Sequence, residues 1–329
     1  WRSRSFWFQN LYATGTRSAR GIEAVVTGFL PTRSRSVIKL ANAQHDFFTI
    51  ARVLKRQGYR TEFIYGGDSS FDNMRRFFLN NGFDRVIDSN DLSPGAAFTT
   101  TWGVSDGDLY RLVHKAVSQH HVDGQPFFTL VFSTSNHPPY DVPNGEIELF
   151  DEPRQSPSNA ARYADAAAGR YLKLASESPY WNNSLFLVVA DHSSRTLGSD
   201  LVPVSSFRIP GFIAGGPVTP RIVERLASQI DLIPTTLSLM GLDVVLPATG
   251  LDQSREDLAG PGRAIMQFND SAAHWTGNHV VVLTPDADPR HFSVERGRLV
   301  PAARDAGLEA SAIAHAAFPV LAYRKGWYR

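Results

Sequence analysis

Apolar and polar positions along the chain fall into two alternating patterns. Unbroken apolar runs occupy 61–67 (TEFIYGG), 126–140 (PFFTLVFSTSNHPPY), 184–192 (SLFLVVADH) and 209–216 (IPGFIAGG). The first three follow stretches of helical spacing at 47–59 (FFTIARVLKRQGY), 108–121 (DLYRLVHKAVSQHH) and 159–178 (NAARYADAAAGRYLKLASES). Strands without period-two alternation are expected to be buried on both faces, in a parallel sheet covered by helices. The pattern therefore predicts an α/β domain over 1–250, a mostly parallel sheet flanked by helices. Residues 222–242 (IVERLASQIDLIPTTLSLMGL) read as a helix pair broken at Pro234. A smaller C-terminal α+β segment is expected over 251–329. There, 278–286 (NHVVVLTPD) and 290–302 (RHFSVERGRLVPA) read as a hairpin or small antiparallel sheet before a helix near 304–317. The polar, proline-rich stretch 142–160 reads as a surface loop placed to cover a site.

Composition narrows the chemistry. The 329 residues carry a net charge of +1, which gives no argument for a nucleic-acid partner. The early arginines (Arg2, Arg4, Arg17, Arg20, Arg33, Arg35) are spread out, as on a solvated face. The chain has no cysteine, which excludes disulfides, zinc–thiolate sites and cysteine nucleophiles. No apolar stretch approaches the ~18 residues of a membrane-spanning helix. The start at Trp1 and the lack of a visible leader suggest a segment of a longer protein.

Ligands of parallel α/β sheets bind beyond the carboxyl ends of the strands. The residues expected there are Gly66, Gly67 and Asp68 after the first run, Asn136 and His137 after the second, and Asp191 and His192 after the third. Asp and neutral His are oxygen and nitrogen donors that can share one divalent ion where the backbone turns. The alternative for Asp191–His192 is a turn-forming acid beside an exposed imidazole. His137, in the rigid SNHPPY stretch, has a structural alternative too. The stretch 10–28 (NLYATGTRSARGIEAVVTG) brings hydroxyls to what reads as a helix start. A hydroxyl there meets free backbone N–H groups and the positive dipole end, a setting for a phosphate or sulfate ester. Equally, Thr16 or Ser18 could simply cap that helix. The other eight histidines show no pattern.

Taken together and in order, several of these stretches resemble a known family. They are NLYATGTRSARGIEAV, GYRTEFIYGGDSSFDNMRRFFLNNGFDRVID, TTWGVSDGDLY, FSTSNHPPY, VVADHSSR, SSFRIPGFIAGG and QIDLIPTTLSLMGL, within about 6–245. They are similar to the extracellular catalytic domain of lipoteichoic acid synthases and their sulfatase-like relatives, in the alkaline phosphatase superfamily. The resemblance implies an alkaline phosphatase/sulfatase-like fold and a metal-dependent phosphoglycerol transferase or phosphodiesterase. A Ser or Thr alkoxide would attack a lipid-derived phosphodiester and form a phospho-enzyme. Carried onto this sequence, the nucleophile is Ser18, with Thr16 as the alternative, and Arg20 contacts phosphate or the nucleophile. The metal ligands are Asp191, His192 and Ser18. The substrate side takes His137, Asp72, Asn73 and Trp102. Manganese is the first expectation for the ion, with magnesium and zinc open.

The resemblance further implies a lipid-linked phosphodiester or glycan substrate, no nucleic acid, and a parent protein anchored by membrane helices before this chain. The location would be the periplasmic or extracellular face of the cytoplasmic membrane. Three departures stand out. The family's opening strand, which ends in a metal-binding Glu, is not in this chain. Residues 71–74 read Phe-Asp-Asn-Met where lipoteichoic acid synthases carry a Trp and an Arg, and Ser193 follows His192 where relatives mostly have Gly. A sulfatase is disfavoured because no Cys/Ser-x-Pro-x-Arg setting exists. A phosphoethanolamine transferase is disfavoured because such domains rely on disulfides. A non-catalytic module of the same fold is the remaining alternative.

Overall fold

The computed structural model describes all of residues 1–329. In chain order the strands are β1 (Phe6–Tyr12), β2 (Arg60–Tyr65), β3 (Arg85–Ile87), β4 (Thr99–Thr100), β5 (Gly103–Val104), β6 (Phe127–Phe132), β7 (Phe186–Val189), β8 (Arg208–Ile209), β9 (Gly211–Ala214), β10 (Arg221–Ser228), β11 (Ala264–Phe268), β12 (Ser271–Thr276), β13 (His279–Leu283), β14 (Arg290–Glu295) and β15 (Arg298–Pro301). The helices are α1 (Ser18–Thr27), α2 (Ile50–Arg56), α3 (Met74–Asn80), α4 (Ser89–Leu92), α5 (Asp106–Asp123), α6 (Pro157–Ser176), α7 (Leu232–Leu239) and α8 (Ala306–Lys325). No helix is long and apolar enough to cross a membrane. The chain divides into two compact units, one of residues 1–50 with 185–329 and one of residues 51–184.

The first unit holds two sheets. In one, the order is β10-β1-β9-β7, with β8 also pairing β1. Only the β1–β10 pair is parallel; β1 runs antiparallel to β8 and β9, and β7 antiparallel to β9. Phe8, Leu11, Phe207, Ile213 and Leu232 fill its core. The stretch read as a helix pair is corrected here: residues 221–228 form strand β10, in register with β1 from Phe6–Arg221 to Tyr12–Ser228. The parallel partner outweighs the helical spacing of that segment, because the strand gains a ladder and a buried face. The helix begins only at Leu232, so Pro234 falls in its first turn, where a missing N–H leaves no helical bond unmade.

The second sheet, β11 to β15, is an antiparallel meander backed by α8, as expected for the C-terminal segment. On β12, His274 is only 6% exposed, and neither ring nitrogen has a hydrogen-bond partner. Its ring stacks on that of His315 at 4.8 Å. Burial, with Arg263 and His315 nearby, pushes its pKa down from 6.5 to about 4. An unfolded chain would take a proton there near pH 6.5, whereas the folded chain resists protonation until about pH 4. This contribution to stability is complete above pH 6.5. It falls away by about 3 kcal/mol as the pH drops to 4. Urea unfolding across that range is expected to show a shallower slope in His274→Phe than in the parent; identical slopes would contradict the assignment.

The second unit is a parallel sheet in the order β3-β2-β6, with the short β4–β5 hairpin and helices α2 to α6. Phe63, Phe77 and Phe78 are fully buried in it. Ser105 caps α5 by accepting from Asp108 N–H, and Ser156 caps α6 by accepting from Asn159 N–H. The polar stretch before Ser156 carries neither helix nor strand, as its composition predicts.

Within their own units, β6 pairs with β2 and β7 pairs with β9.

Candidate active site

In the first unit, β1 ends at Tyr12 and a short segment leads into α1. Ser18 is the first residue of that helix. The cap position is Arg17, which makes no side-chain cap bond, so neither Ser18 nor Thr16 caps α1. Ser18 Oγ lies 3.5 Å from His192 Nε2, and Nε2 lies 3.4 Å from the Asp191 carboxylate. The imidazole Nδ1–H donates to the Ser193 carbonyl at 2.8 Å. That bond orients the ring so that Nε2 faces Asp191 and Ser18. The Asp191 Oδ1 accepts from the His192 backbone N–H at 2.9 Å, which shapes the turn after β7. Thr16 makes no hydrogen bond to either residue. The structure thus brings Ser18, Asp191 and His192 together and leaves Thr16 aside.

Arg20 requires a correction. Its guanidinium is 6% exposed and turned inward, donating to Glu23 Oε1 at 2.9 Å and to the Thr32 and Ser34 carbonyls. Glu23 in turn accepts from Val37 N–H, and burial pushes its carboxyl up despite the adjacent Arg20. Arg20 therefore pins the segment after α1 instead of facing Ser18. A buried guanidinium needs its donors filled, and here Glu23 and two backbone carbonyls fill them.

Two supporting residues escaped the sequence analysis. Gln229 is fully buried; its Nε2 donates to the Ala190 and Asp191 carbonyls at 2.9 and 2.7 Å, while its Oε1 accepts from Thr14 N–H at 3.0 Å. One amide thus clamps the end of β7 to the segment that leads to Ser18. Gly21 faces the same place from α1. A Cβ there would stand 2.2 Å from the Asp191 carbonyl oxygen and 2.7 Å from its Cα.

In the second unit, the other expected residues form a separate group. His137 Nδ1–H donates to the Pro138 carbonyl at 3.1 Å, and the Trp102 ring lies 3.9 Å from the His137 ring. Trp102 Nε1–H donates to the same Pro138 carbonyl at 2.6 Å. Phe71 stands edge-on to Trp102 at 6.0 Å. Asp72 and Asn73 follow Phe71 with φ of 55° and 60°, consecutive left-handed residues ahead of α3. Such a pair is sparsely populated and persists where surroundings impose it. Asp106 anchors the exit of β6: its Oδ1 accepts from both Thr134 and Ser135 N–H at 2.9 Å. Burial pushes this carboxyl up, and its Oδ2 has no partner.

The donors for a divalent ion agree in kind with what the resemblance implies. Asp191 offers a carboxylate, His192 an imidazole nitrogen turned inward, and Ser18 a hydroxyl. In number they are few: no group of three or more His, Cys, Asp or Glu side chains is placed to hold a metal.

The family model for sulfatases matches residues 1–242, nearly three quarters of the chain. The chain belongs to the sulfatase family. Among sulfatase-family relatives, it is 21% identical to lipoteichoic acid synthase 2 of Bacillus subtilis over 261 residues, covering 73% of this chain and 40% of that protein. It is 26% identical over 204 residues to phosphoglycerol transferase I of Xanthomonas campestris, covering 57% of this chain and 28% of the relative. The chain therefore spans less than half the length of these curated relatives. Among solved structures, an alkaline phosphatase superfamily protein from Vibrio parahaemolyticus superposes with a TM-score of 0.96 at 41% identity. That match covers 99% of this chain and 80% of the other. The fold is that of the alkaline phosphatases and sulfatases, and the family is one of enzymes.

Proposed function

We propose that this sulfatase-family chain transfers or hydrolyses a phosphoglycerol group from a lipid-linked phosphodiester, with Ser18 as nucleophile. The observation that carries the proposal is the convergence of Ser18 Oγ, His192 Nε2 and Asp191 at the first turn of α1. The names of the matched relatives, lipoteichoic acid synthase and phosphoglycerol transferase, support the substrate class. Ser18 Oγ forms a bond to phosphorus as the bond from phosphorus to the leaving alcohol breaks, and the hydroxyl proton ends on that alcohol. An acceptor hydroxyl or water then attacks the phosphorylated Ser18 and returns a proton to its oxygen. The α1 dipole favours negative charge where Ser18 sits. Asp191, His192 and Ser18 would hold the divalent ion, manganese in this proposal. Such an ion would lower the hydroxyl pKa and offset phosphate charge. His137, Trp102, Asp72 and Asn73 are assigned to the non-reacting part of the substrate. The site acts outside the cytoplasm in a membrane-anchored parent.

The test is turnover of a generic phosphodiester by the full chain. Manganese is expected to support it, EDTA to abolish it, and Asp191→Ala to stay inactive at any manganese concentration. Turnover indifferent to both EDTA and Asp191→Ala would overturn the proposal.

A further inference from the structure

One cavity of the first unit has no part in the Ser18 site. It is a groove of about 710 Å³ between residues 32–40, the turn after β13 and one face of α8. Leu40, Leu283, Ile313, Ala317, Val320 and Tyr323 make its apolar wall. Ile313 and Val320, one helical face of α8, are 46% and 37% exposed. Leu321 beside them is 47% exposed, and Trp327, just past the Gly326 cap, is 54% exposed. An apolar helix face with this much exposure is normally covered by something.

The ionic groups at the groove say what covers it. Its only charged lining residues are Arg33 and Arg324, and no acid lines it. Asp286 and Asp288 in the neighbouring turn are not part of the wall. Arg35, Lys325 and Arg329 add exposed cations within a few residues of those two arginines in sequence. In a chain of net charge +1 this is a local concentration. The groove is also fixed in shape. Arg20 holds the Thr32 and Ser34 carbonyls from inside, so Arg33 projects from an anchored segment.

We infer that this face docks on an anionic lipid bilayer. An acidic head group would sit between Arg33 and Arg324, and acyl chain would lie along Ile313, Ala317 and Val320. An apolar helix face with an exposed Trp and flanking Lys and Arg is the pattern of a helix that lies at a membrane interface. A second copy of the chain fits less well, because a two-fold contact through this face would set the same arginines against each other.

The test uses the full chain and vesicles of phosphatidylcholine, alone or with equal parts phosphatidylserine. Phosphatidylserine has no glycerol head group to engage a phosphoglycerol site. Co-sedimentation is expected with the mixed vesicles and not with phosphatidylcholine alone. Ile313→Asp with Val320→Asp, and separately Arg33→Gln with Arg324→Gln, should each weaken binding about tenfold or more. All four positions are solvent-exposed or at the groove rim, so unfolding midpoints should not move. Three results would overturn the inference. One is undiminished binding by either double variant, and another is equal binding to both vesicle types. The third is a concentration-dependent dimer that Ile313→Asp abolishes, which would make a second copy the occupant.

Discussion

Ser18→Ala is expected to lower phosphodiester turnover about 10³-fold or more and leave the fold intact. The hydroxyl is the group at 3.5 Å from His192 Nε2, and its loss removes both the attacking atom and one oxygen donor beside His192. Stability should be unaffected because Ser18 is not a cap; alanine is well tolerated at a first helical position. Thr16→Ala should retain most of the activity, since Thr16 makes no bond to Asp191 or His192. Steady-state rates for the two variants, with urea unfolding of each, decide the matter. A silent Ser18→Ala beside an inactive Thr16→Ala would assign the nucleophile to Thr16.

Gly21→Ala should damage the protein where the same change on an open helix face would help it. Within a helix, glycine to alanine ordinarily gains about 1 kcal/mol. Here the added Cβ would stand 2.2 Å from the Asp191 carbonyl oxygen, 2.6 Å from its carbon and 2.7 Å from its Cα. These are backbone atoms, and the Gln229 amide fixes that carbonyl from the other side at 2.7 Å. The helix or the end of β7 has to move, at a cost of about 1–3 kcal/mol. The movement separates Ser18 from Asp191 and His192, so activity is expected to fall together with the urea midpoint. A stabilised and fully active Gly21→Ala would mean that α1 and β7 are not packed this way.

Much of this site was legible because strand tips in an α/β fold collect ligands. Asp191 and His192 announced themselves as polar residues ending an apolar run, and Ser18 as a hydroxyl at a helix start. Their convergence follows from β1 and β7 belonging to one sheet, which periodicity does not reveal. Gln229 was hidden because residues 222–242 carry helical spacing; only pairing with β1 makes 221–228 a strand and aims Gln229 at Asp191. Arg20 was misassigned for a related reason. Its spacing from Ser18 suits a phosphate contact, yet its partner is decided by a buried glutamate and the carbonyls of residues 32 and 34.

Ser18 is expected to become covalently phosphorylated during turnover, and mass spectrometry of the quenched enzyme tests this most directly. The chain would be mixed with a phosphatidylglycerol analogue and manganese, acid-quenched and digested. Cleavage after Arg17 places Thr16 and Ser18 in different peptides, so an adduct on Ser18 is separated from one on Thr16. A phosphoglycerol adduct on the fragment beginning at Ser18, absent in Asp191→Ala, is the result predicted. An adduct on the Thr16 peptide, or turnover with no adduct on either, would contradict it.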